Sequence, residues 1–302
     1  MIQIVHNIEE ANCITHSGTM HADEVFATAF LHLYKKNIKV YRTNSIKKDD
    51  TQQDCIVYDI GRGKYDHHQL DSEKRENQIP YSSIGLLWRE FGKDYLEKND
   101  FPEIEAIYLA VDKDLIEGID ADDNGVFPKI ESTFKVKTIP SIIKMFNPSF
   151  ESTENESDQF LKAVKLAEMI LKEELSYIKG KILAEKKVLE YLNKYDGTSN
   201  YFILDEYLPY EETLLKDEKY NKIEFVAFPS NRGGFAIKTV PKSFQDHNPR
   251  KAFPELWAGL ENEELEKVSN IKGLRFCHSG RFIVNCKDFN TVLKVLEKCQ
   301  QM

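Results

Sequence analysis

The sequence predicts an α/β protein with an N-terminal parallel-sheet domain, a long connecting helix and a smaller C-terminal α+β domain. Over residues 11–130, apolar strand-like runs alternate with helical patterns. An approximate helical period then runs from about Asp158 to Leu192, and strands and turns dominate from Tyr201 onward. Such a β-α-β rhythm is typical of parallel sheets covered by helices. The predicted domain limits are 1–150, 151–195 and 196–302.

Each N-terminal element has its own signal. "NCIT" predicts a short strand, and "DEVFATAFLHLYKKN" places apolar residues at helical spacing. "IKVYRT" and "DCIVYDI" predict the next two strands, the second reaching Asp59. "SSIGLLWREFGKDYL" predicts a helix capped by Ser82 or Ser83. A further helical pattern stops at the Asn124-Gly125 pair, which is typical of a turn.

The connecting segment and the C-terminal domain also follow from pattern. The polar, acidic run "FESTENES" indicates a linker, and the periodic segment after it would form a helix roughly 50 Å long. Two shorter helices broken at Gly180 are the alternative. "SNRGGF" between two strand patterns predicts a hairpin, and "FNTVLKVLEKC" predicts a final helix.

The amino-acid composition limits the classes of protein to which this chain can belong. With 41% hydrophobic and 30% charged residues among 302, the chain has a globular composition, and the absence of an 18-residue apolar run predicts no membrane partner. The first ten residues resemble neither a secretion nor a transit signal, so we expect none. Five scattered cysteines without a C-x-x-C pair favour reduced thiols and a cytoplasmic location.

The net charge of −9 bears on binding partners. A protein that grips long nucleic acid electrostatically usually carries a basic balance, because its cations replace the counterions on phosphate. This charge predicts that any contact with nucleic acid is local or mediated by metal ions. Short oligonucleotides or small phosphate compounds are at least as compatible with this net charge as a long nucleic acid.

Histidines and carboxylates collect where predicted elements end. The candidates are His16, His21, Asp23, Asp59, Asp66, His67, His68 and either Asp120 or Asp123. Sites in open α/β sheets form beyond the carboxyl ends of the strands, so we expect the segments around His16, Asp59 and His67 to converge at one edge. Imidazole and carboxylate without thiolate favour Mn, Fe, Co or Zn. The number of carboxylates indicates more than one ion, and two ions about 3.5 to 4 Å apart can clamp a phosphoryl group and activate water.

The order of these residues resembles that of the DHH phosphoesterase superfamily. The closer resemblance, over about residues 10–300, is to the melanocyte-proliferating-gene protein family, a DHH-like group. Its hallmarks resemble "THSGTMHADE", "YDHHQ", "YSSIGLLW", "IDADDNG", "NPRKAFPELWAGL" and "FCHSGRFI". One difference from the wider superfamily is visible. The superfamily's first motif has Asp where this chain has His21, and this chain has one extra residue after His16.

The resemblance implies a role for each position. The implied metal ligands are His16, His21, Asp23, Asp59, His67 and one of Asp120 and Asp123. Asp59 would bridge the ions, and His68 would face the substrate phosphate, so these two are the implied catalytic residues. The implied cofactor is a pair of Mn²⁺ ions, with Mg²⁺ as an alternative.

A smaller C-terminal domain binds the substrate in DHH proteins. On this resemblance the candidate substrate-binding residues are Arg250 in "NPRKAFPELW" and His278, Ser279 and Arg281 in "CHSGR". The planar guanidinium of arginine can donate two parallel hydrogen bonds to phosphate. A Ser-Gly turn with free backbone N–H groups could complete an anion-binding nest.

The implied function is that of a metal-dependent phosphodiesterase, a 3′-to-5′ exonuclease acting on RNA or short oligonucleotides. A homodimer is compatible with the sequence. Two alternatives stay open. One is a small-molecule phosphohydrolase acting on pyrophosphate or a dinucleotide, which the acidic charge favours. The other is a non-catalytic protein that senses metal or nucleotide.

Overall fold

The structure is a computed structural model that describes residues 1–47 and 54–301. The chain divides into two compact units, Met1–Gly180 and Lys181–Met302. This division falls inside one long helix, which therefore contributes residues to both units. The domain limits given above remain a prediction.

The N-terminal unit is built on a parallel sheet. Its elements in chain order are β1 (Ile2–Val5), β2 (Cys13–His16), helix α1 (Ala22–Lys35), β3 (Ile38–Thr43) and β4 (Ile56–Val57). The strand order is β1-β3-β2-β4, and every pairing is parallel, so the predicted β-α-β arrangement is confirmed. Two features differ from the prediction. The strand β1 has no predicted counterpart, and β4 is shorter than "DCIVYDI" because the backbone turns at Asp59, whose φ is +55°.

Further helices of this unit follow α1 along the chain. They are α2 (Ser83–Lys98), α3 (Ile104–Val111), α4 (Glu117–Asp123) and α5 (Ile139–Ile143). A π-helical segment, Asp112–Ile116, joins α3 to α4. Apolar faces of α1 and α2 are buried together, with Phe30 meeting Trp88 edge-on at 5.3 Å between ring centroids.

The predicted long helix is confirmed as α6 (Glu156–Leu192). It continues through Gly180, so the alternative of two helices broken there is wrong. Many of its periodic apolar residues are buried, among them Leu171, Leu175 and Ile178. Burial along one stripe stabilises a helix of this length better than intrinsic propensity alone.

The C-terminal unit is an α+β fold. Its elements are β5 (Tyr201–Ile203), α7 (Glu211–Leu215), β6 (Phe225–Pro229), β7 (Phe235–Thr239), α8 (Asn262–Ser269), β8 (Leu274–Cys277), β9 (Ile283–Cys286) and α9 (Phe289–Gln300). The sheet order is β5-β6-β7-β9-β8, with β5 and β6 parallel and the other neighbours antiparallel. The predicted hairpin is β6–β7 and the predicted final helix is α9. The core includes Phe225, Trp257 and Val284.

Within residues 1–47 and 54–301, no helix is long and apolar enough to cross a membrane. All five cysteines are free thiols, and four of them are buried.

Candidate metal centre

The carboxyl edge of the parallel sheet holds the first part of the site. β2 ends at His16, and Asp59 follows β4 after one residue. The His16 Nε2 atom lies 3.1 Å from Asp59 Oδ2. Asp59 adopts a left-handed backbone conformation, which aspartate tolerates better than most residues. This turn and the parallel strand ends bring the two side chains together.

His67 and Asp123 extend the site away from the sheet. The Nδ1 atom of His67 lies 3.4 Å from Asp59 Oδ1, and its Nε2 lies 2.7 Å from Asp123 Oδ2. His21, the residue before α1, places its Nδ1 atom 3.6 Å from the other oxygen of Asp123. His67 therefore links the strand-end carboxylate to the carboxylate at the end of α4.

The donor atoms fall into three overlapping groups whose members lie within 4.8 Å of one another. The groups are His16, His21, Glu24 and Asp59; Asp59, Asp66, His67 and His68; and His21, Asp23 and Asp123. Asp59 belongs to the first two groups and His21 to the first and third. Such sharing is what a site for more than one ion requires, because one side chain must serve neighbouring ions.

Three buried atoms of these groups form no hydrogen bond. They are Asp23 Oδ1, Asp59 Oδ1 and His67 Nδ1. Unpartnered buried polar atoms cost free energy and are uncommon in folded proteins. Two ligands about 2.1 Å from one ion lie roughly 3.0 to 3.4 Å apart in octahedral or tetrahedral coordination. The 3.4 Å between His67 Nδ1 and Asp59 Oδ1 fits that spacing, so the residues present fit a divalent cation.

The electrostatics of the cluster lead to the same conclusion. Burial, and then the charge of Asp23, raise the pKa of Asp59 and of Glu24. Burial and the charge of Asp123 raise the pKa of Asp23. Burial alone would lower the pKa of His67, but its hydrogen bond to Asp123 and the charges of Asp23 and Asp59 raise it to about 9. Crowded carboxylates of this kind are stabilised in the charged form by a bound cation.

The two serines before and at the start of α2 support the acidic residues. Ser83 Oγ donates to Asp23 Oδ2 at 2.8 Å, and Ser82 Oγ donates to Asp120 Oδ1 at 2.5 Å. Ser82 is the N-cap residue by position, but its side chain makes no capping hydrogen bond. The pair therefore ties two separate carboxylates to one helix end, a role that the capping signal did not reveal.

Asp120 lies outside the donor groups. Its carboxylate accepts hydrogen bonds from Arg75 Nη1 at 2.7 Å, from Ser82 and from the amide of Gly85 at 3.1 Å. A Cβ atom at position 85 would lie 1.9 Å from Asp120 Oδ2, so this approach requires glycine. Of the two aspartates that the sequence left open, the structure brings Asp123 to the cluster.

Two acidic residues of the cluster, Glu24 and Asp66, were not among the metal ligands that the resemblance implied. Glu24 is fully buried, lies 3.4 Å from His16 Nε2 and accepts a hydrogen bond from the amide of His21. A glutamate three residues after a helix N-cap is the sequence signal for such a bond. Asp66 accepts hydrogen bonds from the amides of Arg62 and His68. Its place beside two histidines was the only signal in the sequence.

His68 differs from its neighbour His67 in exposure. Its Nδ1 atom lies 2.6 Å from Asp66 Oδ1, and its side chain is 58% exposed. Burial would raise the pKa of Asp66, but the hydrogen bonds from the His68 ring and the two amides outweigh this and lower it. The ring faces a cavity of about 330 Å³, whose lining also includes Asp59 and Arg62. A carboxylate thus orients the one exposed histidine of the DHH triplet.

The C-terminal candidates lie in the second unit. The guanidinium of Arg250 donates to the carbonyl oxygens of Tyr220 and Ile223, both at 2.8 Å, so its Nη1 atom is already occupied. His278, Ser279 and Arg281 form the turn between β8 and β9, in which the Arg281 amide donates to His278 O at 2.8 Å. The Arg281 guanidinium makes one long contact, 3.5 Å, to Phe253 O. The structure thus brings the two predicted motifs of this unit side by side.

Comparison with known proteins places this site in a family context. A family model described as "Uncharacterised protein family (UPF0160)", with the short name MYG1_exonuc, matches residues 12–299. A MYG1 protein of Saccharomyces cerevisiae is 28% identical, over 93% of each chain. A MYG1 protein of Dictyostelium discoideum is 29% identical over 89% of this chain and 90% of the relative. A protein of Homo sapiens named MYG1 exonuclease is 26% identical over 89% of this chain and 80% of its own length. No solved structure matches.

Proposed function

The chain belongs to the MYG1 family, which is the melanocyte-proliferating-gene family that its motifs resemble, and we propose that it is a metal-dependent phosphodiesterase. Its reaction would be 3′-to-5′ exonucleolytic cleavage of RNA or short oligonucleotides. The single observation that carries this proposal is the buried cluster of histidines and carboxylates with three unpartnered polar atoms. The rat, mouse and human relatives are named exonucleases, which supports the reaction class.

The metal ligands follow from the three donor groups. We assign the ions, two Mn²⁺ or Mg²⁺, to His16, His21, Asp23, Asp59, His67 and Asp123, with Glu24 beside them. Divalent ions in such a site act as Lewis acids toward a phosphoryl oxygen and lower the pKa of water. Two of the groups share Asp59, and its carboxylate has two oxygens, so in this assignment Asp59 would serve both ions.

The chain itself supplies the groups that orient substrate. His68 lines the cavity and is held by Asp66 through Nδ1, and we assign its Nε2 atom the role of proton donor to the leaving oxygen. Arg62 also lines this cavity, and a planar guanidinium suits a phosphate oxygen. In the second unit we assign phosphate contact to Arg281 rather than Arg250, because Nη1 of Arg250 already donates to two backbone carbonyls and its Nη2 donates to Asn221 Oδ1. We propose that the protein acts in the cytoplasm, consistent with its five free thiols.

A second candidate function, hydrolysis of a small phosphate compound, has two observations in its favour. The cavity beside His68 is about 330 Å³, near the lower limit for small-molecule sites, and the chain carries a net charge of −9. Both suit a pyrophosphate or a dinucleotide. A small-molecule phosphohydrolase would use the same donor cluster, so the two candidate functions are distinguished by the length of the substrate that is cleaved.

The test compares purified wild-type protein with Asp59→Asn and with Asp71→Asn, an exposed aspartate outside the donor groups. Each is incubated with Mn²⁺ and a short RNA labelled at its 3′ or 5′ end, and separately with pyrophosphate. Stepwise loss from the 3′ end by wild type and Asp71→Asn, but not by Asp59→Asn, is expected. Cleavage of pyrophosphate but not of RNA would favour the small-molecule phosphohydrolase. An active, folded Asp59→Asn protein would contradict the site, and tight Mn²⁺ binding without hydrolysis would favour the sensor.

A further inference from the structure

A second cavity, of about 390 Å³, adjoins the candidate metal centre. Its lining includes His21 and Asp123 from the third donor group, together with Phe127, Ser141 and Lys144. It is therefore open to a molecule whose phosphate lies at the donor cluster. Its volume is in the range of sites that enclose a small ligand.

Phe127 is an exposed aromatic residue in the lining of this cavity. It follows α4 by four residues, and the amide of Val126 donates to Ala121 O at 2.7 Å, which holds the chain against the end of that helix. The side chain is 66% exposed although it is large and apolar. Exposed aromatic faces of this kind serve as stacking platforms for bases in proteins that bind single-stranded nucleic acid.

Lys144 supplies a positive charge to the same cavity. It directly follows α5, is exposed, and has no ion-pair partner among the described residues. Its charge lowers the pKa of Asp122, although burial and Asp123 together raise that pKa. Apart from His21, it is the one basic side chain of the lining. A lysine in this position can contact a phosphate oxygen.

From this arrangement we propose that the cavity is a subsite for the terminal nucleotide of the substrate. Its base stacks on Phe127 and its backbone phosphate contacts Lys144. The inference rests on the proposed phosphodiesterase function and names how that site selects nucleotides rather than pyrophosphate. The carboxylates of Asp122 and Asp123 on the same wall repel phosphate, so nucleotide binding requires that cations first occupy the donor cluster.

The stacking contact is tested with two substrates that differ only in the terminal residue, one carrying a base and one abasic. For wild type, kcat/KM should be about tenfold higher for the substrate with a base. Phe127→Ala should bring this ratio close to one, and Phe127→Trp should keep it. Phe134→Ala is the matched control, because Phe134 is 74% exposed in the same loop but does not line the cavity. Equal ratios for Phe127→Ala and wild type would overturn the proposal.

The phosphate contact is tested by salt dependence. Removing one contact to a single-stranded substrate lowers the slope of log affinity against log salt concentration by about 0.7. Lys144→Gln should show this change and Lys135→Gln, an equal loss of charge in the neighbouring loop, should not. Identical slopes for both variants would remove Lys144 from the subsite.

Binding separates failure of this inference from failure of the proposed function. Adenosine 5′-monophosphate is titrated into each protein with and without Mn²⁺, and no turnover is needed. Binding that depends on Mn²⁺ and weakens about tenfold in Phe127→Ala supports the subsite even if wild type cleaves no RNA. RNA cleavage by wild type, with nucleotide binding that Phe127→Ala leaves unchanged, contradicts the subsite and leaves the proposed function standing.

Discussion

Asp120 and Asp123 lie three residues apart on α4, yet their surroundings differ in hydrogen bonding. Asp120 is fully buried and its oxygens accept from Arg75, Ser82 and the Gly85 amide. Asp123 lies 2.7 Å from His67, in a cluster in which three buried polar atoms form no hydrogen bond. A cluster with complete hydrogen bonds stabilises a fold without a ligand, whereas unpartnered carboxylate oxygens and imidazole nitrogens are suitable ligands for a cation. Hydrogen bonding, and not burial or charge, therefore separates the structural aspartate from the candidate ligand.

The largest effect should come from breaking the satisfied cluster. Arg75→Met leaves the buried Asp120 without its cation, and such losses cost about 3–5 kcal/mol of the free energy of unfolding. Urea unfolding at pH 8 measures this loss. Burial raises the pKa of Asp120 to about 7 against the opposing effect of Arg75, so in the wild-type protein the carboxylate is charged at pH 8.

Arg89→Met is the matched control for that variant. Both arginines lie over the ring of Tyr81, but Arg89 pairs with Glu73 between exposed side chains. Its loss should cost no more than about 1 kcal/mol. Equal destabilisation by the two variants would show that stacking on Tyr81, and not the buried ion pair, holds this region.

Next in size is the effect of adding metal to the unsatisfied cluster. Mn²⁺ at 100 times its dissociation constant should stabilise the wild-type protein by about 2.7 kcal/mol. Asp59→Asn lacks the shared carboxylate, so its stability should change little on adding Mn²⁺. Thermal unfolding with and without Mn²⁺ measures both, and equal stabilisation of the two proteins would place the ions elsewhere.

A smaller effect should distinguish the adjacent serines. Ser83→Ala removes the hydrogen bond to Asp23, and loss of such a supporting bond lowers metal affinity about 10- to 100-fold. Ser82→Ala instead leaves Asp120 with one donor fewer, which should cost about 1–3 kcal/mol of stability with little change in affinity. Mn²⁺ titration and urea unfolding of both variants measure the contrast. A larger loss of affinity in Ser82→Ala than in Ser83→Ala would contradict it.

Sequence patterns predicted those parts of the molecule that depend on local periodicity. The alternation of strands and helices predicted the parallel sheet. The rule that sites form at the carboxyl ends of parallel strands predicted that His16, Asp59 and His67 lie close together. The shortness of β4 was not predictable, because it depends on the left-handed backbone of Asp59 rather than on residue type.

Contacts between distant segments decided the rest. Asp120 and Asp123 point only about 60° apart around a helix, so periodicity alone does not choose between them. The choice is made by Arg75, which reaches Asp120 from a loop 45 residues away. Likewise, Arg250 has the residue type of a phosphate ligand, but its Nη1 atom donates to the carbonyl oxygens of Tyr220 and Ile223. No local pattern carries that information.

The most direct test of the contrast on α4 is a Mn²⁺ titration of Asp123→Asn and Asp120→Asn, with bound ions counted by electron paramagnetic resonance and stability followed by urea unfolding. Asp123→Asn should lose Mn²⁺ binding while its unfolding midpoint in the absence of metal is retained. Asp120→Asn should bind as many ions as wild type but unfold at lower urea. The reverse pattern, with Asp120→Asn losing the ions and Asp123→Asn keeping them, would contradict the assignment of the metal centre.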